Sequence, residues 1–281
     1  MEIKKAVITA AGKGQRTLSL QNIVDRDGEK KTALTILLEE VIESGIEDIG
    51  IIIHPGDHES YRAAAGKYST RIELIEQPQP LGYGHAVYCA KNFVKDEPFL
   101  LLVNDHIFIS SAEKRCARQL IEVAATENCS VSGVQPTHES KLPYFGAVGG
   151  RRIPNSDCLY EIQTVLEKPT PTEAEQHLLV PGLRTGYYLC FFGIHVLTPT
   201  VMTLLAEEVA RNNGKGGIQL SPVLSKLCTM ERYLALEIKG RRFDLGAKYG
   251  LLQAQLGMAL SGKDRDEILS MLIELLSSKI S

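Results

Sequence analysis

Residues 5–16 read KAVITAAGKGQR. The apolar run from Ala6 to Ala11 does not alternate, so it predicts a strand buried on both faces, as in a parallel sheet. It enters a glycine-rich turn carrying Lys13 and Arg16. Gly12 and Gly14 allow close approach, and such a turn offers unpaired N–H groups and cations to an anion. It is not a Walker A loop, because GxxxxGK[ST] is absent, and it lacks the third glycine of a dinucleotide fingerprint. Taken alone, the stretch also fits a glycine turn with only a structural job.

Outward from this turn, strand-like and helix-like patterns alternate. KTALTILLEEVIESGI, residues 31–46, has helical spacing and ends at Gly45. DIGIIIHPG predicts a buried strand, and DHESYRAAAGKY a short helix with Asp57 as its N-cap. RIELIEQ reads as a strand, GHAVYCAKNFV as helix and PFLLLVND as a strand ending in Asn104-Asp105. SAEKRCARQLIEVAATEN predicts a helix and CSVSGVQP a strand. The pattern argues for an α/β fold with a mainly parallel, doubly wound sheet, whose ligands sit beyond the carboxyl ends of the strands. The turns after Ala11, Gln77 and Val103 are therefore the informative ones.

The second half differs. Residues 136–195 form a sheet-rich insertion, including the stretch around VLEKP and TGYYLCFFGIHVL. TPTVMTLLAEEVARNNG and IQLSPVLSKL predict helices, and YLALEIKGRRFDLG a strand with a turn. An amphipathic helical tail runs from about Lys248 to Ile280, broken near Gly262. The expected organisation is one domain over 1–281, with a nucleotide-binding half (1–135), a sugar-phosphate-binding half (136–247) and the tail (248–281).

Composition narrows the class. The 281 residues are 44% hydrophobic with a net charge of −3, so no strong global field draws nucleic acid or anionic membrane. The six cysteines are scattered without CxxC, which predicts free thiols in a reducing cytoplasm rather than a disulfide framework or zinc site. No apolar stretch reaches the ~18 residues of a membrane span, and no signal peptide is expected.

Several residues carry candidate chemistry. Gln77 stands at a strand end before a Pro-rich bend, Gly82 and Gly84. Asp105 closes a buried strand, a common setting for a Mg²⁺ ligand beside phosphates. Glu167 and Lys168 adjoin in VLEKP, and Asp244 lies in RRFDLG. Each has a plainer reading: a strand-end hydrogen bonder, a helix cap, an exposed ion pair and a turn-closing carboxylate, respectively.

In this order, AVITAAGKGQR, EEVIESGIEDIGIII, LGYGHAV, LEKP, IQL and GRRFDLGAKYGLLQA resemble the sugar-1-phosphate nucleotidyltransferases, and within them the UTP–glucose-1-phosphate uridylyltransferases. The resemblance covers nearly the whole chain and implies a Rossmann-like nucleotidyltransferase (GT-A-like) fold. It implies formation of a UDP-sugar and pyrophosphate from UTP and a hexose 1-phosphate. Ala10, Ala11 and Gly12 would touch the nucleoside, Gly14 and Arg16 the triphosphate, and Gln77 and Gly82 the uracil edge. Asp105 and Asp244 would hold Mg²⁺. Gly146 and Glu167 would contact sugar hydroxyls, and Lys168 would neutralise the sugar phosphate. His85 and His106 read as packing or supporting groups, since this chemistry needs no histidine base. Related enzymes form dimers or tetramers, and the tail would supply an oligomer interface or pack on its own domain.

Three features depart from the family pattern. The segment after Arg16 is shorter than usual and lacks a phosphate-contacting lysine, which Lys13, Lys30 or Lys31 would have to replace. Gln15 stands where Thr or Ser is usual, and Gly217 replaces an acidic residue. These departures keep two alternatives in view: a nucleotide-sugar-binding homologue that is weak or inactive, and a transferase using another nucleotide such as dTTP.

Overall fold

The computed structural model describes residues 1–212 and 216–278. The first half runs β1 (Lys5–Thr9), β2 (Asn22–Val24), β3 (Lys30–Thr32), α1 (Ala33–Ile42), β4 (Asp48–Ile53), α2 (His58–Ala65), β5 (Ile72–Glu76), α3 (Tyr83–Cys89), α4 (Lys91–Val94), β6 (Phe99–Val103), β7 (His106–Ser110) and α5 (Cys116–Glu127). The second half adds β8 (Ser130–His138), β9 (Gly146–Arg152), β10 (Leu159–Glu167), α6 (Pro171–His177), β11 (Tyr187–Leu197), α7 (Thr200–Arg211), α8 (Ser221–Met230), β12 (Tyr233–Glu237), β13 (Gly240–Asp244), α9 (Gly250–Leu260) and α10 (Arg265–Ser277).

Nine strands form one sheet in the order β5-β4-β1-β6-β11-β8-β12-β10-β9. The strands β5, β4, β1 and β6 are mutually parallel. Alternate residues of β1 serve opposite cores. Ala6 and Ile8 pack with Leu34, Leu38 and Leu120 on one face, and Val7 packs with Val87, Val94 and Val201 on the other. Burial on both faces is why these strands lack polar alternation.

The sheet is mixed rather than mainly parallel. β11 runs antiparallel to both β6 and β8, and β10 runs antiparallel to both β12 and β9. Only β12 beside β8 is parallel in this half. A continuous apolar run reports double-sided burial, not strand direction, so the sequence carries no signal for this reversal.

Other expectations shift locally. Lys31 and Thr32 belong to a β2–β3 hairpin, and the helix starts at Ala33, with Thr32 capping the Thr35 N–H. Asp57 makes no side-chain cap; its carboxylate instead lies 3.4 Å from Arg16. Residues 111–115 precede α5, and residues 218–220 precede α8, which starts at Ser221, because Ile218 pairs with Leu81 and Gly84 at the turn before α3. The expected helix ends at Asn213-Gly214 and Ile280 lie outside the described residues. The six cysteines are free, and burial pushes the thiols of Cys129 and Cys190 up to about 11. Among the described residues, no helix is long and apolar enough to cross a membrane.

The two parts of the tail behave differently. α9 closes a small core through Ala254 and Met258 against Ile23, Ile36 and Ile107. α10 rests on α9 with no buried residue, leaving Met271, Ile273, Leu275 and Leu276 exposed.

Candidate active site

β1 and β6 pair in register, and their carboxyl ends lead to Ala10 and Asn104. Immediately after Asn104-Asp105 the chain turns into β7, which leaves the main sheet and pairs antiparallel with β13. That ladder places Asp244 opposite His106. Ligand-capable atoms of Asp105, His106 and Asp244 all lie within 4.8 Å of one another. His106 Nδ1 is 2.8 Å from Asp105 Oδ1, and Gln15 Nε2 donates to Asp105 Oδ2 at 2.5 Å. Asp244 also closes its own turn, accepting the Gly246 N–H at 2.8 Å. Two carboxylates at this separation fit a hard divalent cation, which takes oxygen ligands, while the His106 imidazole is engaged by Asp105.

Asp105 and His106 border a cavity of about 280 Å³ shared with Gly146, Glu167, Lys168 and Ser221. Ser221 Oγ donates to Glu167 Oε2 at 2.5 Å. Gly146 makes room for this pair: a Cβ there would sit 2.8 Å from the Phe191 ring and 3.1 Å from both polar oxygens. Lys168 has φ of 48°, an unusual conformation for a side-chain-bearing residue and more so before Pro169. Its N–H donates to the Phe145 carbonyl. Arg242 reaches the same wall, its guanidinium 3.7 Å from the Phe145 ring centroid, with no ion pair among the described residues. The Tyr83 hydroxyl is buried beside the cavity without a partner among the described residues.

The residues expected to meet a nucleotide lie at the same end of the sheet but off this wall. Ala10 and Ala11 follow β1 and are buried; Gly12 and Gly14 are exposed in the turn. Gln77 follows β5 and is buried, its amide donating to the Gly82 carbonyl at 3.1 Å and lying 3.0 Å from His85 Nδ1. Gly82 has φ of 100°, and a Cβ there would meet the Ile218 carbonyl oxygen at 2.6 Å. Gly82→Ala should therefore cost about 2–4 kcal/mol, from strain and overpacking together, and lower Tm by roughly 4–12 °C. Thermal unfolding checks this; an unchanged Tm would mean that the turn relaxes freely.

Arg16 does not join the cavity. It pairs with Asp57, while its carbonyl accepts from Tyr61 at 2.6 Å. The short segment after it is packed: Ser19 is fully buried, and Asn104 Nδ2 donates to Ser19 Oγ at 3.2 Å and the Gln15 carbonyl at 3.4 Å. Lys31 is committed to Asp25 and Glu39, at 2.6 and 2.9 Å. Lys13 and Lys30 are exposed. Of the cations considered, Lys168 and Arg242 face the cavity. Tyr83 and Arg242 lie inside the motifs LGYGHAV and GRRFDLG, yet nothing in those motifs singles them out, and His195 lies outside every motif; the start of α3, the β7–β13 pairing and the irregularity of β11 bring them to the cavity.

Burial holds His195 down to about 4, so it is neutral at pH 7. Its folded pKa lies below the unfolded value of 6.5, so it opposes folding once the unfolded chain binds the proton. The contribution should grow as pH falls from 6.5 to about 4, reaching about 3 kcal/mol. Urea unfolding across that range should show His195→Gln losing less stability than the parent.

A family model described as nucleotidyl transferase matches residues 5–259. The chain belongs to the nucleotidyl transferase family. UTP–glucose-1-phosphate uridylyltransferase YngB of Bacillus subtilis is 32% identical, covering 99% of this chain and 96% of that one. Another Bacillus subtilis UTP–glucose-1-phosphate uridylyltransferase is 30% identical, with 99% of both chains covered. Among solved structures, UDP-glucose pyrophosphorylase from Acinetobacter baumannii is similar at 25% identity and TM-score 0.74–0.75, covering 98% of this chain and all of that one, also in a UTP-bound form. In this nucleotidyl transferase the α/β frame is thus the one on which those relatives are built.

Proposed function

We propose that this chain is a UTP–glucose-1-phosphate uridylyltransferase, forming UDP-glucose and pyrophosphate. The observation that carries the proposal is the convergence of Asp105, His106 and Asp244 beside a cavity holding Glu167 and Lys168. Residues 1–135 would bind the nucleotide, 136–247 the sugar phosphate, and 248–281 form the helical tail.

In this reading Asp105 and Asp244 hold Mg²⁺, with His106 beside them. Held there, the ion would supply neutralisation of the negative charge on the triphosphate. Ala10, Ala11, Gly12 and Gly14 line the nucleoside and phosphates through their backbone, and Gln77 and Gly82 meet the uracil edge. Lys168 faces the sugar phosphate, with Arg242 as a second cation; Glu167 and Gly146 meet sugar hydroxyls. A sugar-phosphate oxygen attacks the α-phosphorus in line. The bond from that phosphorus to the bridging oxygen breaks, and pyrophosphate leaves with the electron pair. The nucleophile is already anionic, so positioning and charge neutralisation carry the step and no general base is needed. Arg16 would take a phosphate only by leaving Asp57, and Asp105 Oδ2 would be free to serve as a ligand only without the Gln15 contact. The exposed apolar residues of α10 suit a dimer or tetramer interface, and the free thiols suit the cytoplasm.

The contacts of Gln15 on Asp105 and Arg16 on Asp57 favour one second reading, a nucleotide-sugar binder without turnover. Pyrophosphate release with Mg²⁺, UTP and glucose 1-phosphate separates them. Release supports the transferase. UDP-glucose binding by calorimetry without release supports the binder, and faster release with dTTP would correct the nucleotide.

A further inference from the structure

Three polar groups behind the cavity fix the position of one proton. Tyr233 is buried, and its hydroxyl has one partner among the described residues, Ser132 Oγ. A phenol carries one proton, and leaving a buried donor unpaired is costly, so Tyr233 donates to Ser132. Ser132, also buried, must then place its own proton on its other partner, His195 Nδ1, at 2.6 Å. Nδ1 is thereby an acceptor, and the proton of the neutral imidazole sits on Nε2.

Nε2 has no partner among the described residues, and it is not among the sealed side-chain atoms that lack one, which belong to Asp57, Tyr83, Gln135 and Asn212. His195 lines the cavity, so Nε2 opens onto it. The backbone aims it there. β11 pairs regularly with β8 as far as Phe191 and resumes at His195, and Gly193 within this irregularity has φ of 92°. Such an irregularity re-aims a side chain without breaking the strand.

We propose that His195 Nε2–H is a fixed, neutral donor to one hydroxyl of the hexose, making His195 a specificity-determining residue of the sugar subsite. The proposal rests on the uridylyltransferase reading. A neutral donor suits a hydroxyl, whereas the phosphate has Lys168 and Arg242. Glu167 and Ser221 supply acceptors for the hydroxyl protons. The Tyr233–Ser132 relay cannot reverse without orphaning the Tyr233 proton, so the site cannot turn Nε2 into an acceptor. A sugar lacking that hydroxyl leaves the donor unpaired.

The test is kcat/KM for the parent, His195→Phe and His195→Gln with glucose 1-phosphate and its 2-, 3-, 4- and 6-deoxy analogues. His195→Phe should lose about 10–100-fold on glucose 1-phosphate. It should lose nothing further on one deoxy analogue, and the other three should lose as glucose 1-phosphate does. His195→Gln, which keeps an N–H, should recover part of the loss. An equal loss on all five sugars, or no loss, overturns the proposal. Nitrogen NMR of ¹⁵N-histidine-labelled protein decides independently of turnover. An Nε2–H tautomer that responds to glucose 1-phosphate supports the proposal, and an Nδ1–H tautomer or an unresponsive ring overturns it. A parent that turns over no substrate would refute the uridylyltransferase reading and leave the NMR result to decide this one.

Discussion

Asp105→Ala should release pyrophosphate from UTP and glucose 1-phosphate about 10³ times more slowly than the parent. Asp105 is 4% exposed and both of its oxygens are engaged, one with His106 and one with Gln15. The substitution removes the central carboxylate of the three-residue cluster, and preorganised electrostatic groups of this kind are worth about 10²–10³ each in rate. In the proposed role of metal ligand, Asp105 would stand at the upper end of that range. The cost in stability is smaller. The donors of Gln15 and His106 lose their acceptor, about 1–3 kcal/mol if neither finds water. Steady-state pyrophosphate release across a Mg²⁺ titration, with circular dichroism to show folding, checks both parts. Activity within tenfold of the parent at saturating Mg²⁺ would remove Asp105 from the reaction.

The second large effect separates activity from stability. Lys168 holds φ of 48° directly before a proline, a strained setting for a residue with a Cβ. Strain persisting at a cavity wall points to a side chain selected for where it sits. Lys168→Gly should raise stability by about 1 kcal/mol, since relief of strain exceeds the added freedom of the unfolded chain. On the proposed function, the same change should cut kcat/KM by about 10²–10³, because the cavity wall loses one of its two cations among the described residues. Lys168→Ala keeps the Cβ and should show the catalytic loss without the gain. Urea midpoints and kcat/KM measured on the three proteins decide the matter. A glycine variant less stable than the alanine variant would contradict the strain account, and a KM for glucose 1-phosphate that stays unchanged would contradict the role in binding.

The strands that carry the turn after Ala11 were legible because burial on both faces writes an uninterrupted apolar run. The helices were legible by period, with errors where tertiary pairing won. Lys31-Thr32 lies in a hairpin because Lys31 finds Asp25 and Glu39, a pairing no local propensity encodes. The β7–β13 ladder joins residues 106–110 to 240–244, so the meeting of His106 with Asp244 could not be read from spacing. Asp105, Glu167, Lys168 and Gly146 could be named from motif order, and the structure brings them to one wall. His195 could not, since it sits in a stretch that otherwise reads as ordinary strand, and the irregularity at Gly193 exposes it; Arg242 lies within the GRRFDLG motif, but its part in the cavity wall shows only in its stacking on Phe145.

The packed segment after Arg16 bears on protein engineering. Ser19 is sealed beneath Asn104, and the Arg16 carbonyl is tied to Tyr61. Grafting a longer, lysine-bearing loop from a relative would unseat both ends of that lattice and leave the Asn104 amide without one of its acceptors. A transplant confined to the loop would therefore lose stability before it gained a cation. To be tolerated, it would have to bring the facing positions 61 and 104 with it as one cassette.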